Sequence, residues 1–401
     1  MDISKKATPA YSQMWIILLA VLTALGPLSI DMYLPALPLM ADDFGVSTQR
    51  VANSLPAYFL GLAVGQLVYG PLSDRIGRKT PLYIGLVLYI LASLLCVFAY
   101  NEWSLIAARV LQALGGCVGV VMARAAIRDR LDLQASAQAF ASMMIVTTIA
   151  PIIAPTLGAW VLLFFDWHAI FVFLTLIGCA CWLSVHLFFQ ETLPPERRLH
   201  LSLSQILNLY AAILKDPSFH WPMLAGCLSS GALFTYISGS AAVLMDGYGL
   251  SQQHFAYVFG MNALGIMLFS TFNRHLSGRY SVIGRLKLGG AIQASGAVLL
   301  LITGLIVAPL WLVLLGFFLT IAGIGFTGPN AMALAMAEQG QRAGTASAVM
   351  GSMQFACGLL GGLLLNLLPW TALVNMAVMM LLFILAANWA MRYVQLPHRS
   401  H

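Results

Sequence analysis

Apolar residues run along this chain in blocks far longer than the period-two alternation of strands or the three-in-seven stripe of a soluble helix. Charges, prolines and polar clusters punctuate the blocks, leaving apolar runs near 14–38, 51–72, 80–100, 103–125, 138–162 and 167–189. A second set follows near 219–244, 254–273, 283–304, 309–334, 343–367 and 371–391. Each is long enough to cross a bilayer as a helix, and none shows the alternating ten-residue pattern of a membrane barrel. The pattern predicts an all-α membrane protein of twelve transmembrane helices. Its longest hydrophilic stretch, from Gln190 to Phe219, lies at mid-chain. The predicted organisation is an N-terminal six-helix bundle over 1–190, a cytoplasmic linker over 191–218 and a C-terminal six-helix bundle over 219–401. A faint repeat supports the division: Asp74-Arg75 after the second run is matched by Asn273-Arg274 after the eighth.

Composition closes off the soluble reading. Of 401 residues, 60% are apolar and 8% charged, against roughly 45–50% and 25% in globular proteins. Charge then gives the orientation. With both termini on the cytoplasmic side, eighteen of the twenty Lys and Arg residues fall inside, among them Lys5, Lys6, Arg124, Arg128, Arg130, Arg285 and Arg399. The inner loops carry a net +10 and the outer loops −4, a positive-inside pattern. The formal net charge of +6 is therefore topology and gives no footprint for nucleic acid. The first run begins after Lys5 and Lys6 like a signal peptide, but continues to Pro38 without a small-residue cleavage site, and reads as a retained helix. All six cysteines fall inside the runs, with no metal-ligand spacing, and read as buried filler.

Two charged residues lie deep within apolar runs, Asp31 in the first and Arg109 in the fourth. Left unpaired at mid-membrane, either would cost at least roughly 2.5–3.5 kcal/mol, so both should face the bundle interior. Their depths agree, each about 10 Å from the outer surface at 1.5 Å per residue. They are expected to share one polar patch, either as a proton switch centred on Asp31 or as a static ion pair orienting two helices. Gln112 is a polar neighbour for Arg109.

The loop after the second run reads Gly70-Pro71-Leu72-Ser73-Asp74-Arg75-Ile76-Gly77-Arg78-Lys79. It closely resembles the signature loop of the major facilitator superfamily. Gly70, Asp74, Arg75, Gly77, Arg78 and Lys79 are expected to form either a latch between the halves at the inner face or a positive-inside anchor. Further resemblance covers essentially the whole chain. Arg109-Val110-Leu111-Gln112-Ala113-Leu114-Gly115-Gly116 is similar to the family's arginine motif, with Ala113 where glycine is usual. Ala150-Pro151-Ile152-Ile153-Ala154-Pro155-Thr156-Leu157-Gly158-Ala159 looks like the antiporter motif of drug exporters, with Ala154 and Ala159 in place of glycines. Ser29-Ile30-Asp31-Met32-Tyr33-Leu34-Pro35, Trp167-His168 and Glu191-Thr192-Leu193-Pro194-Pro195 look like the Bcr/CflA drug-resistance subfamily.

The resemblance implies a proton-coupled antiporter that exports small, largely hydrophobic drugs of the chloramphenicol or bicyclomycin kind by alternating access. It implies a bacterial inner-membrane location, function as a monomer in the lipid bilayer, and no cofactor other than the coupling proton. A proton-linked metabolite exporter or importer of the same fold is the alternative. No nucleophile elbow, zinc-protease motif or phosphate-binding loop supports an enzyme. Pro151 and Pro155 should bend the fifth helix, with Gly158 beside them. Tyr33, Tyr58, Met143, Phe234, Tyr236, Met261 and Asn262, with Gln112, are the candidate substrate contacts on the helices that line the family's cavity; aromatic and Met side chains suit varied apolar ligands.

Overall fold

A computed structural model describes residues 13–131, 133–199 and 202–395; Lys5, Lys6 and Arg399 of the inner charge pattern lie outside the described residues. Twelve helices are long and apolar enough to cross a membrane. Spans one to six are Met14–Phe44, Thr48–Ile76, Lys79–Val97, Glu102–Arg130, Gln138–Val161 and His168–Phe188. Spans seven to twelve are Pro217–Gly247, Gln252–Gly278, Val282–Leu305, Leu310–Met336, Ala343–Leu365 and Ala372–Ala390. The apolar runs therefore mark every span, and the structure extends several of them beyond the apolar block. Span one continues to Phe44 and span four to Arg130, because amphipathic ends remain helical once they pack on neighbours.

The helices form two six-helix halves with the same internal arrangement. Span four packs on spans two, three and one, span three on span six, and span one on span five. The second half repeats these pairings six spans later: span ten packs on eight, nine and seven, nine on twelve, and seven on eleven. The halves meet through span two against span eleven and span five against span eight. The same shift of six spans interchanges those two contacts, so the halves are related by a pseudo-twofold relation that the sequence shows only as two matching dipeptides.

The buried core lies inside each half and along the seam, while large apolar side chains such as Ile84, Leu91, Leu183 and Leu268 remain exposed on the outside. That inversion is what a lipid environment permits. Phe98, Tyr100, Trp103, Trp160, Phe164, Phe165, Trp311 and Trp370 are exposed around the end reached by the odd-numbered spans, where an aromatic belt meets the membrane surface. Of the six cysteines five are buried, but Cys179 is exposed. Cys179 and Cys181 are two residues apart, about 200° around a helix, so only one can turn inward.

The mid-chain stretch is more ordered than its polarity suggests. It contains a helix, Leu203–Lys215, opened by a Ser202 capping box with Gln205. The Tyr210 hydroxyl on this linker helix donates to the Leu67 carbonyl of span two at 2.8 Å.

Candidate transport site

Between the halves lies a cavity of about 990 Å³, at the end that carries the Asp74 loop and the linker. Spans one, two, four, five, ten and eleven wall it, with the linker helix at its rim. The opposite end is closed. There the Asn366 side-chain amide donates to Asn53 across the seam, and Gly362 lies against the ring of Pro56. Nearer the middle, Phe59 of the first half stacks among Phe234 and Phe355 of the second, with ring centroids 4.7 and 6.3 Å away.

Arg109 is fully buried on span four, yet its partners are not carboxylates. Its guanidinium donates to Gln112 Oε1 at 2.5 Å and to the Ser29 carbonyl at 2.8 Å. It stands over the rings of Tyr33 and Tyr58, 4.3 and 4.1 Å from their centroids, so two π faces take up much of the charge. The surrounding shell is tied down in turn. Tyr33 bonds Ser54 at 2.9 Å, Ser29 bonds Tyr89 at 2.8 Å, and Gln112 donates to Ser93 at 2.8 Å. Tyr89 and Ser93 carry no charge and no motif, and Ser29 is an uncharged residue at the edge of one, so nothing in the sequence marks them as partners of Arg109.

Asp31 does not join this group, and the expected shared patch with Arg109 is not formed: no ion pair links them among the described residues. Asp31 is 3% exposed and its Oδ1 has no hydrogen-bond partner. The cause is helical geometry. Ser29 turns its hydroxyl into the first half, and Asp31, two residues on, points about 200° away. Its carboxyl instead lies within electrostatic reach of Tyr236 on span seven. Tyr236 accepts a hydrogen bond from Asn262 at 2.9 Å and packs on Phe259 and Phe317. Immediately after Asp31 the helix of span one is interrupted before a short turn at Leu34–Ala36.

The antiporter-like segment lies against that interruption. A Cβ at Gly158 would stand 1.8 Å from the Met32 carbonyl oxygen, so only glycine lets span five approach here. Pro151 and Pro155 lie inside the helix of span five. Between them, Ile152 presents its carbonyl to Gly260 of span eight.

Among the eight candidate substrate contacts, Met143 alone lines the large cavity. Tyr33, Tyr58 and Gln112 serve Arg109; Phe234 closes the seam; Asn262 is bonded to Tyr236, which lies within electrostatic reach of Asp31. Met261 is 57% exposed and outside both groups, because Asn262 takes the inward direction and its neighbour is rotated by about 100°. The cavity instead presents Arg124 and Arg128, one turn apart on span four, with Gln66, Phe140 and Met336. Arg124 reaches Ser347 of span eleven at 3.3 Å. Both count with the inner charges in the sequence; Arg124 lies near the end of the apolar block and Arg128 in the five residues by which span four outruns it.

The motif loop forms a network within the first half and the start of the linker. Arg78 pairs with Asp74 at 2.6 Å and with Asp129 at the end of span four at 2.8 Å, and donates to Ser73 at 2.6 Å. Glu191 receives the backbone N–H groups of Arg78, Lys79, Thr192 and Leu193 at 2.8, 3.1, 2.9 and 3.0 Å. Gly77 makes room with φ 96°, a conformation other residues rarely adopt, since a Cβ would strike the Glu191 carboxylate. Burial would raise the Glu191 carboxyl, but the four N–H donors outweigh it and hold it below its ordinary value. Desolvation likewise opposes the Arg78 charge, and Asp129 and Asp74 overcome it. Gly70 lines the cavity, and Arg75 enters none of these ion pairs. The loop thus ties together its own half and the start of the linker, rather than one half to the other.

Comparison with known proteins agrees with this architecture. Residues 19–362 match the family model of the Major Facilitator Superfamily. The chain is 36% identical over 364 residues, 90% of both chains, to an uncharacterised transporter of that type, YdgK, from Bacillus subtilis. It is 30% identical to a bicyclomycin resistance protein homolog of Haemophilus influenzae, covering 87% of each chain. It is 29% identical to a chloramphenicol resistance protein of Pseudomonas aeruginosa, covering 88% of this chain and 84% of that one. Among solved structures a D-xylose-proton symporter superposes with a TM-score of 0.73 at 14% identity, over 95% of this chain and 97% of that one, a likeness of fold.

Proposed function

The chain belongs to the major facilitator superfamily, a transporter rather than an enzyme, and from that premise we propose that it is a proton-coupled antiporter exporting small, largely hydrophobic drugs from the cytoplasm. Relatives at about 30% identity are named for resistance to bicyclomycin and chloramphenicol, which supports compounds of that kind as cargo. The charge pattern supports a bacterial inner-membrane protein with both termini cytoplasmic, and therefore a conformation open to the cytoplasm. The unit of transport is the monomer.

Asp31 carries the proposal. It is a buried carboxyl without a hydrogen-bond partner on Oδ1, on the face of span one turned toward Tyr236 of the other half. When the halves rock to open outward, this seam is the one that parts. Asp31 then meets outside water and takes a proton, which it yields on return, so proton entry and drug exit share one cycle. Arg109, held among tyrosines, keeps a positive potential nearby and supplies no competing ion pair. One proton crossing about 150 mV is worth roughly 3.4 kcal/mol, enough to hold a drug gradient of a few hundredfold without nucleotide.

The test is a drug-susceptibility panel on cells expressing the chain, with and without an uncoupler. Export of at least one small drug should be seen, and should collapse both with uncoupler and in Asp31→Asn, while that variant still inserts at wild-type levels. Coupled export retained by Asp31→Asn removes the proton role. Accumulation of a nutrient with no drug exported identifies the importer of the same fold.

A further inference from the structure

The two halves differ at the loop where Asp74-Arg75 of the first answers to Asn273-Arg274 of the second. In the first half the Asp74 loop is neutralised, since Arg78 has two carboxylates, Asp74 and Asp129, on its guanidinium. At the same end of the second half, Asn273 stands in place of Asp74, and Arg285 from the first turns of span nine reaches it. Arg285 Nη1 donates to the Asn273 carbonyl and side-chain oxygens at 3.2 and 3.0 Å, and Asn330 donates to the same side chain at 3.0 Å. All of these acceptors are neutral. Arg285 is only 9% exposed, and no carboxylate pairs with it among the described residues. Between 273 and 287 the chain has Arg274, Arg279, Arg285 and Lys287 and no Asp or Glu.

A buried guanidinium whose hydrogen-bond acceptors are all neutral keeps an uncompensated charge, and an anion beside it removes that cost. The space for one is present: a second cavity of about 370 Å³ between spans eight, nine and ten, lined by Arg285, Arg274, Asn273 and Asn330. Guanidinium donors match a tetrahedral phosphate in fork geometry, and the second arginine supplies further charge. We propose that this cavity binds a phosphate group, the chemistry offered by an anionic phospholipid headgroup at the membrane surface or by free phosphate. The loop of the second half is then held by a ligand where that of the first is held by its own carboxylates.

The experiment uses the full chain purified in mild detergent, with phosphatidylglycerol and phosphatidylcholine offered together and retained lipid read by native mass spectrometry. Thermal unfolding with added inorganic phosphate is the second arm. Wild type should retain phosphatidylglycerol over phosphatidylcholine by about tenfold, and Asn273→Asp should abolish the preference, because an internal carboxylate then occupies Arg285 as in the first half. Arg274→Gln should weaken it without touching the buried network. Arg279→Gln, which removes the same charge outside the cavity, should leave it intact. Stabilisation of wild type but not Asn273→Asp by inorganic phosphate, with no lipid preference, assigns the site to the free ion. The proposal is overturned if neither probe binds, if Asn273→Asp binds like wild type, or if Arg279→Gln loses as much as Arg274→Gln. None of these outcomes bears on Asp31 and antiport.

Discussion

Arg109 places a guanidinium in the fully buried interior of span four. Its presence in an apolar run demanded compensation, and the nearest acid at equal depth was Asp31. The structure compensates it without an acid, through two hydrogen bonds and two tyrosine rings. A fork that reaches Gln112 and Ser29 while lying flat on aromatic faces is specific to guanidinium, and an ammonium cannot reproduce it. Arg109→Lys should therefore keep the charge yet lower stability by about 3–6 kcal/mol, the scale of two hydrogen bonds to a charged group. The unfolding midpoint in detergent measures it; equal stability would mean that the aromatic faces alone suffice. The same reasoning frees Asp31 from a structural duty and leaves its carboxyl available to a proton.

At the scale of elements, the informative departures are where helices stop or bend. Span one breaks directly after Asp31, span five carries two prolines, and Gly158 brings the two together. The prolines were legible in the sequence; the meeting of span five with the break was not. The linker follows a similar course. Its polarity announced a connection, while the Glu191 cap on the first turn of span three depends on tertiary placement. Because the folded carboxyl lies below its ordinary value of 4.5, its contribution is present above that value and is lost as pH falls through the folded pKa. Hydrogen exchange at Arg78, Lys79, Thr192 and Leu193, corrected for intrinsic rates, should show this. Wild type should be protected at pH 7 and lose protection in acid, as the pH falls through the lowered value of the folded carboxyl. Glu191→Gln, which sets an amide against one of the donors, should be less protected at pH 7 and vary little with pH. Protection equal in wild type and Glu191→Gln at every pH would mean the cap is not carried by the carboxylate.

For the whole molecule, the seam is closed at one end by Asn53 with Asn366 and by stacked phenylalanines, and holds the cavity at the other. Alternating access requires the closed end to part. A disulfide between Asn53→Cys and Asn366→Cys should hold the closed end shut and stop transport, with recovery on reduction. Transport that continues in the cross-linked protein would show that the closed end need not open. Five of the six native cysteines are buried, so the engineered pair is readily distinguished with a thiol probe.

The sequence by itself determined the twelve spans, their division into six and six, the charge bias between the two faces, and which residues could not face lipid. These are one-dimensional quantities, set by length, hydropathy and depth along the membrane normal. It could not determine azimuth, the direction in which each side chain leaves its helix. Two residues of separation turned Asp31 away from Arg109; one turned Met261 away from Asn262; the packing of span four turned Arg124 and Arg128 into the cavity. Only packing of the helices decides such directions, because rotation of a buried helix changes its neighbours and leaves its hydropathy unchanged.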